Sequence, residues 1–298
     1  MSRLEDLETF VSAVRTGSFA GAARQLGLSP AMVGRRIQAL EDRHGARLIE
    51  RTTRSQRLTV LGESFLAQAE QVLDAAAELD ELTRNTPGPL EGLVRLTGPA
   101  TLGTHRLAAI VAAFCEANPR LTVEMSLSDR RADLITEGFD FAVRVGELQV
   151  SSMVARRVGT YRLLCCAAPA YLAGRSPVTH PHDLAGHGCL LNLNMVPRGR
   201  WPFTGPDGEM VIAEIKAQLQ IDNGEAQRAA ALAGAGIVYL PAELVADDIS
   251  AGRLVRLLPD WETLSMPISL VHPSRRLVSR RVTALMEAIA DGLQRAAA

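Results

Sequence analysis

The sequence predicts a multidomain protein in which an all-α, winged N-terminal module, a long connecting helix and a two-lobed α/β domain follow one another. Three observations predict it. Two short helical patterns meet at Gly27-Leu28-Ser29, one unbroken helical pattern fills residues 60–83, and strands alternate with helices from residue 90 to the end. Alternation of that kind builds α/β folds with mainly parallel sheets.

Ser18 is placed to cap a helix over Phe19–Leu26, whose apolar stripe is Ala22, Ala23 and Leu26. Gly27 permits a left-handed turn, Leu28 packs inward, and Ser29 caps a second helix with Pro30 in its first position. That helix runs to about Glu41, with Val33, Ile37 and Leu40 at the i, i+4, i+7 spacing of a buried face. Ala31, Gly34, Arg35 and Gln38 then lie on the opposite face, and Arg36 lies nearer the packed edge. Phe10, Val11 and Val14 supply an earlier helix to complete a three-helix core. This is a helix-turn-helix pattern, and its exposed residues are predicted to face a DNA major groove.

Residues 47–59 read as strand, loop and strand, a wing carrying Arg51, Arg54 and Arg57 for phosphate or minor-groove contact. Charge agrees with a nucleic-acid partner. Residues 1–58 hold ten arginines against six acids, whereas residues 59–298 hold 22 basic residues against 27 acidic ones, so a whole-chain net of −1 hides a basic module. Lys216 is the only lysine in the chain.

Within residues 60–83, Leu61, Phe65, Ala69, Val72, Ala76, Leu79 and Thr83 recur three or four apart, close to a heptad seam. Asn85-Thr86-Pro87-Gly88-Pro89 then marks a domain boundary. The expected domains are residues 1–59, a linker over 60–86, and a third domain over 90–298. In the third, strands are predicted near Leu93–Thr97, Leu121–Leu127, Tyr161–Ala167, Leu190–Leu193, Leu219–Ile221 and Ile237–Leu240. Helices are predicted around Gly103–Ala117, Asp129–Thr136, Glu225–Ala233 and Arg276–Leu293. The two sets of elements suggest two lobes, and a cleft between lobes is a natural small-ligand site.

Four stretches, GSFAGAARQLGLSPAMVGRRIQALE, RLIERTTRSQRLTVLGE, DLITEGFDFAVRVGE and GRLVRLLPD, together resemble the LysR-type transcriptional regulators over essentially the whole chain. The resemblance implies a type 2 periplasmic-binding-protein-like effector domain, with lobe I at about 90–161 and 267–298 and lobe II at about 162–266. It implies a dimer through the linker helix, with a tetramer as an option, binding an inverted-repeat operator in double-stranded DNA, and RNA polymerase as a further candidate partner. Ser29, Pro30, Ala31, Met32, Gly34, Arg35, Gln38, Arg51, Arg54 and Arg57 are the expected DNA-binding residues. Where many relatives carry glutamine and a hydroxyl residue, this chain has Pro30 and Gly34, so recognition leans on Arg35, Gln38, the wing and DNA shape.

The candidate effector residues are Pro99, Thr101, Thr104, Arg144, Gly146, Asn192, Asp222 and Asn223, with Thr101 the first choice. Thr101 and Thr104 sit at a helix start that favours an anion, so the inducer is expected to be a small organic molecule, acidic as one option. Many relatives have a hydroxyl residue at the place of Pro99. No cofactor and no catalytic residue is expected, because no GxSxG elbow, HExxH helix or P-loop occurs. His180, His182, His187 and Cys189 fall within ten residues but match no standard zinc spacing. Four cysteines make a disulfide framework improbable, and a redox-sensing pair is the alternative function kept beside an inducer-responsive regulator. A metal-dependent protein and a secreted solute-binding protein are the remaining alternatives. No leader pattern and no apolar run approaching 18 residues is present, which predicts a cytoplasmic protein without membrane contact.

Overall fold

In the computed structural model, residues 3–51, 56–82, 88–148, 153–273 and 278–295 are described. The chain divides into two compact units, of which the first holds residues 1–90 and the second most of the remainder. Each is built as follows.

The first unit opens with α1 (Arg3–Arg15), α2 (Phe19–Leu26) and α3 (Pro30–His44). Both expected caps form: Gly21 N–H donates to Ser18 Oγ at 3.0 Å and Met32 N–H to Ser29 Oγ at 3.2 Å. Gly27 stops α2 at φ +65°, which an L side chain rarely adopts. Phe10, Val11, Ala22, Ala23, Val33, Ile37 and Leu40 are buried together, and Leu28 packs against them. Strands β1 (Ile49–Arg51) and β2 (Gln56–Leu58) pair antiparallel as the expected wing. They are followed by α4 (Val60–Leu82), which crosses so close to the wing that a Cβ on Gly62 would fall 2.1 Å from Leu48 O. Only glycine fits there.

In the second unit β3 (Gly92–Gly98) leads into a continuous helical stretch of α5 (Ala100–Leu102), a π-helical turn at Gly103–Leu107 and α6 (Ala108–Ala117). Next come β4 (Leu121–Leu127), β5 (Phe141–Val145), the 15-residue β6 (Met153–Ala167), α7 (Pro169–Leu172) and a 3₁₀ turn at Pro181–Gly186. They are followed by β7 (Leu190–Asn192), β8 (Arg200–Thr204), β9 (Met210–Glu214), β10 (Leu219–Ile221), α8 (Gly224–Leu232), β11 (Val238–Pro241) and α9 (Ala242–Ser250). Last are β12 (Val255–Arg256), β13 (Glu262–Thr263), β14 (Ser265–Pro273) and α10 (Arg280–Arg295).

The sheets correct the expectation of mainly parallel pairing. β3 pairs parallel with β4 and β5, and β10 parallel with β7, but β14 runs antiparallel to both β5 and β6, and β6 antiparallel to β11 and β12. One sheet in the order β11-β6-β14-β5-β3-β4 is thereby shared by both lobes. The cause is the double crossing: the chain leaves the first lobe along β6 and returns along β14, and an outward and a return strand lie side by side antiparallel.

No helix forms at the expected Asp129–Thr136; residues 134–138 are a turn. Local side chains compete for the backbone there. Ser128 Oγ accepts from Arg130 N–H at 3.2 Å, and Asp129 Oδ1 is taken by Ala100 N–H at 3.0 Å. The last helix begins at Arg280 rather than Arg276. A hairpin that the reading missed, β8 with β9, turns at Gly205-Pro206-Asp207-Gly208 and buries Trp201 and Phe203 on one face.

Candidate functional site: a DNA-facing helix and an effector cleft

On α3, Ala31, Met32, Arg35 and Gln38 are exposed and Gly34 is half-buried, while Val33, Ile37 and Leu40 are buried. Two of the remaining arginines are turned to structural work. Arg36 Nη2 meets Glu5 Oε2 at 2.9 Å and its Nη1 donates to Thr9 Oγ1 at 3.3 Å, while Arg43 Nη2 meets the buried Asp6 at 2.9 Å. These pairs hold α3 against α1. Gln38 Nε2 donates to Asp42 Oδ1 at 2.8 Å, one turn further on. Arg35 forms no ion pair among the described residues.

The wing hangs on one carboxylate. Buried Glu41 accepts at Oε1 from Leu48 N–H at 2.8 Å and Ile49 N–H at 3.0 Å, which ties the start of the wing to the end of α3. Gln56 Nε2 donates to Ala13 O at 2.7 Å from the other strand. Arg57 is exposed. Arg54 and the side chain of Arg51 lie outside the described residues.

Along α4 the expected seam splits. Phe65 packs edge-on against Phe10, with ring centroids 5.5 Å apart, and Ala69 is buried in the same core, so both face their own module. Leu61, Val72 and Leu79 remain 52, 47 and 66 % exposed. Ala76 is half-buried, and Thr83 lies outside the described residues. A single seam along one line is therefore replaced by an inward and an outward stripe. The two cannot be told apart in sequence because both are apolar.

In the second unit, Thr101 is 8 % exposed and lies close to the hydroxyl of Tyr161 on β6. Burial pushes the Tyr161 hydroxyl well above the ordinary phenol range, with Glu243 and Asp129 adding to the rise. The first residue of α8 lies against Thr101, since a Cβ on Gly224 would fall 2.8 Å from Thr101 Oγ1 and 3.2 Å from Leu244 Cδ2. A second link joins the lobes where His105 Nε2 meets Glu225 Oε1 at 2.6 Å. Beside it Glu243, in the first turn of α9, is half-buried, and that burial raises its carboxyl above the usual range despite Arg106 and His105 nearby.

Of the expected effector residues, Thr101, Asp222 and Asn223 gather at this junction, Asn223 as the N-cap of α8 with its Oδ1 accepting from Ala226 N–H at 2.9 Å. Asp222 is exposed, and its carbonyl accepts from Asn194 Nδ2 at 2.7 Å. Pro99 takes the N-cap position of α5 without a side-chain bond, and Thr104 is exposed. Arg144 Nη2 donates to Ala132 O at 2.8 Å, Gly146 turns the chain at φ +94°, and Asn192 Oδ1 accepts from Asn194 N–H at 2.8 Å. Arg144 and Asn192 thus each bond loop backbone, and Gly146 N–H donates to Pro267 O on β14. An anion at this helix start would meet the Asp129 carboxylate, which already accepts from Ala100 N–H. Tyr161, His105, Glu225, Glu243 and Asp129 were missed. Tyr161 carried one usable signal, being an aromatic residue at the predicted crossing into lobe II.

The model of the bacterial regulatory helix-turn-helix protein, lysR family, matches residues 4–63, and that of the LysR substrate binding domain matches residues 87–294. The chain belongs to the LysR family of transcriptional regulators. It is 34 % identical to the HTH-type transcriptional regulator PtxR of Pseudomonas aeruginosa, across 98 % of this chain and 93 % of that protein. The solved LysR-type regulator CrgA of Neisseria meningitidis superposes with a TM-score of 0.62 at 31 % identity, covering 98 % of this chain and 99 % of that one. AphB, the virulence activator of Vibrio cholerae, superposes with a TM-score of 0.61 at 28 % identity, covering 97 and 99 %. These relatives are transcriptional regulators, not enzymes.

For a LysR-family chain the histidine and cysteine cluster has ordinary structural roles. His180 caps the 3₁₀ turn and stacks edge-on against Trp261, with centroids 4.9 Å apart, while His187 lies beside Tyr171. Cys189 is buried with its Sγ 3.8 Å from Leu184 O. Among the described residues no group of three or more His, Cys, Asp or Glu side chains is placed to hold a metal ion. No helix among them is long and apolar enough to cross a membrane. All four cysteines are free thiols. Burial pushes Cys166 and Cys189 up to about 12 and raises Cys165 well above the usual thiol range too.

Proposed function

We propose that this LysR-family regulator binds an inverted-repeat operator as a dimer, reads bases through the exposed N-terminal half of α3, and answers to a small organic molecule held between the lobes of its second unit. The observation that carries the DNA reading is the division of labour among the arginines of α3: Arg36 and Arg43 are held by Glu5 and Asp6, whereas Arg35 is exposed and pairs with no carboxylate among the described residues. Arginine is the side chain suited to bidentate contact with guanine. Arg57 and the other wing arginines supply phosphate contact, and the outward stripe of α4 supplies the subunit contact. Pairing there would set two recognition helices about 34 Å apart, one DNA turn. For the effector, Thr101 and Tyr161 offer hydroxyl groups and Glu243 a carboxyl group where β6 and the start of α9 come together, which supports a site between the lobes. RNA polymerase contact and a cytoplasmic setting belong to the same proposal.

The test is a footprint on the DNA upstream of the protein's own gene, over a salt series with competitor DNA. A protected inverted repeat is expected, and Arg35→Ala should weaken binding to it by roughly 5- to 150-fold, the range of one bidentate base contact. Unchanged affinity in Arg35→Ala would overturn the assignment of this face.

A further inference from the structure

We infer that the recognition helix reads a thymine methyl group with Met32, beside a guanine read by Arg35. The inference rests on the proposed DNA-facing side of α3. Met32 is 37 % exposed although it is a large apolar side chain in the first turn of a helix whose other large apolar residues, Val33, Ile37 and Leu40, are buried. Burial does not explain it, and neither does capping, for only its backbone N–H bonds to Ser29. Its neighbours on the same face are Ala31, exposed, and Arg35, one turn away at i+3.

The polar alternatives on this face are few. Pro30 and Gly34 offer no side-chain donor or acceptor, Ser29 Oγ already accepts the capping bond from Met32 N–H, and Arg36 is bound to Glu5 and Thr9. Gln38 has its amide N–H on Asp42, whose exposed carboxylate repels phosphate. What the first two turns present is an apolar patch of Ala31 and Met32 and one guanidinium. In the major groove the apolar group on a base edge is the C5 methyl of thymine, and the fork that fits arginine is guanine O6 and N7. Side chains at i and i+3 stand about 5–6 Å apart and bases on one strand about 3.4 Å apart, so the two bases lie one or two steps from each other.

The experiment selects half-sites from random duplexes with the full-length protein, then replaces the thymine by deoxyuridine, which removes that methyl and keeps the pairing. A thymine within two steps of a guanine is expected in the selected sites. Deoxyuridine should weaken the wild type about five- to tenfold, Met32→Ala should lose as much on the thymine site and be indifferent to the exchange, and Met32→Leu should retain most of the effect. Equal deoxyuridine penalties in wild type and Met32→Ala, no penalty in either, or selected sites without such a thymine would overturn the inference. Full affinity of Arg35→Ala for the selected sites, or no enriched sequence, would overturn the DNA-facing reading itself. Loss in Arg35→Ala without coupling between Met32 and the methyl group removes only the methyl inference.

Discussion

Glu41 shows how one side chain can decide the position of a functional loop. It is buried, lies at the end of the recognition helix, and accepts both the Leu48 and Ile49 N–H groups. Glu41→Ala would strand two buried donors and should cost roughly 2–4 kcal/mol in urea unfolding. The same change should loosen the wing. Glu41→Gln keeps one acceptor and should cost less. At the thiols the expectation is chemical. With Cys165, Cys166 and Cys189 buried and protonated at neutral pH, and Cys115 half-buried, native alkylation with iodoacetamide should label Cys115 first and the other three only after unfolding. Rapid native labelling of Cys165 or Cys189 would revive the redox alternative.

Among the elements, helices with local punctuation were the most legible in sequence. Ser18, Gly27, Ser29 and Pro30 state where α2 and α3 begin and end, because caps depend on neighbours two or three residues away. Strand pairing is different. β14 lies on β6 although roughly a hundred residues separate them, and nothing near either strand announces its partner. The surroundings of Thr101, the candidate effector residue, were half legible for the same reason: Thr101 stands at a recognisable helix start, but its neighbours Tyr161 and Gly224 come from remote segments. For α4 the apolar period was legible and its direction was not. The outward residues now make a definite prediction. Val72→Glu combined with Leu79→Glu places charge on the exposed stripe and should convert a dimer to a monomer in sedimentation, leaving α4 folded on Phe10 through Phe65 and Ala69. A dimer that survives both substitutions uses another surface.

At the scale of the molecule, acid stability should depend on Asp248. Its side chain is fully buried in lobe II between Arg228 and Arg253, and although burial alone raises a carboxyl, the hydrogen bonds from those two guanidinium groups prevail and hold it below the usual range. A carboxyl depressed in the folded state stabilises above the unfolded value of about 3.9 and loses that contribution as pH falls through the folded value. Asp248→Asn should therefore lower stability by about 3 kcal/mol at pH 7 and flatten its fall below pH ~4, as urea titrations at several pH values would show. An unchanged acid limb would mean that other carboxylates govern it.

The shared sheet has a mechanical consequence. β6 runs 15 residues without interruption, about 50 Å at 3.3 Å per residue, and β14 is laced to it from Met153 to Arg162 with a register shift at Ile268 and Ser269. Two laced strands behave as a torsion bar: they resist bending and shear but yield to winding. Tyr161 stands near the middle of that shaft, so a twist applied there is carried along both strands at once.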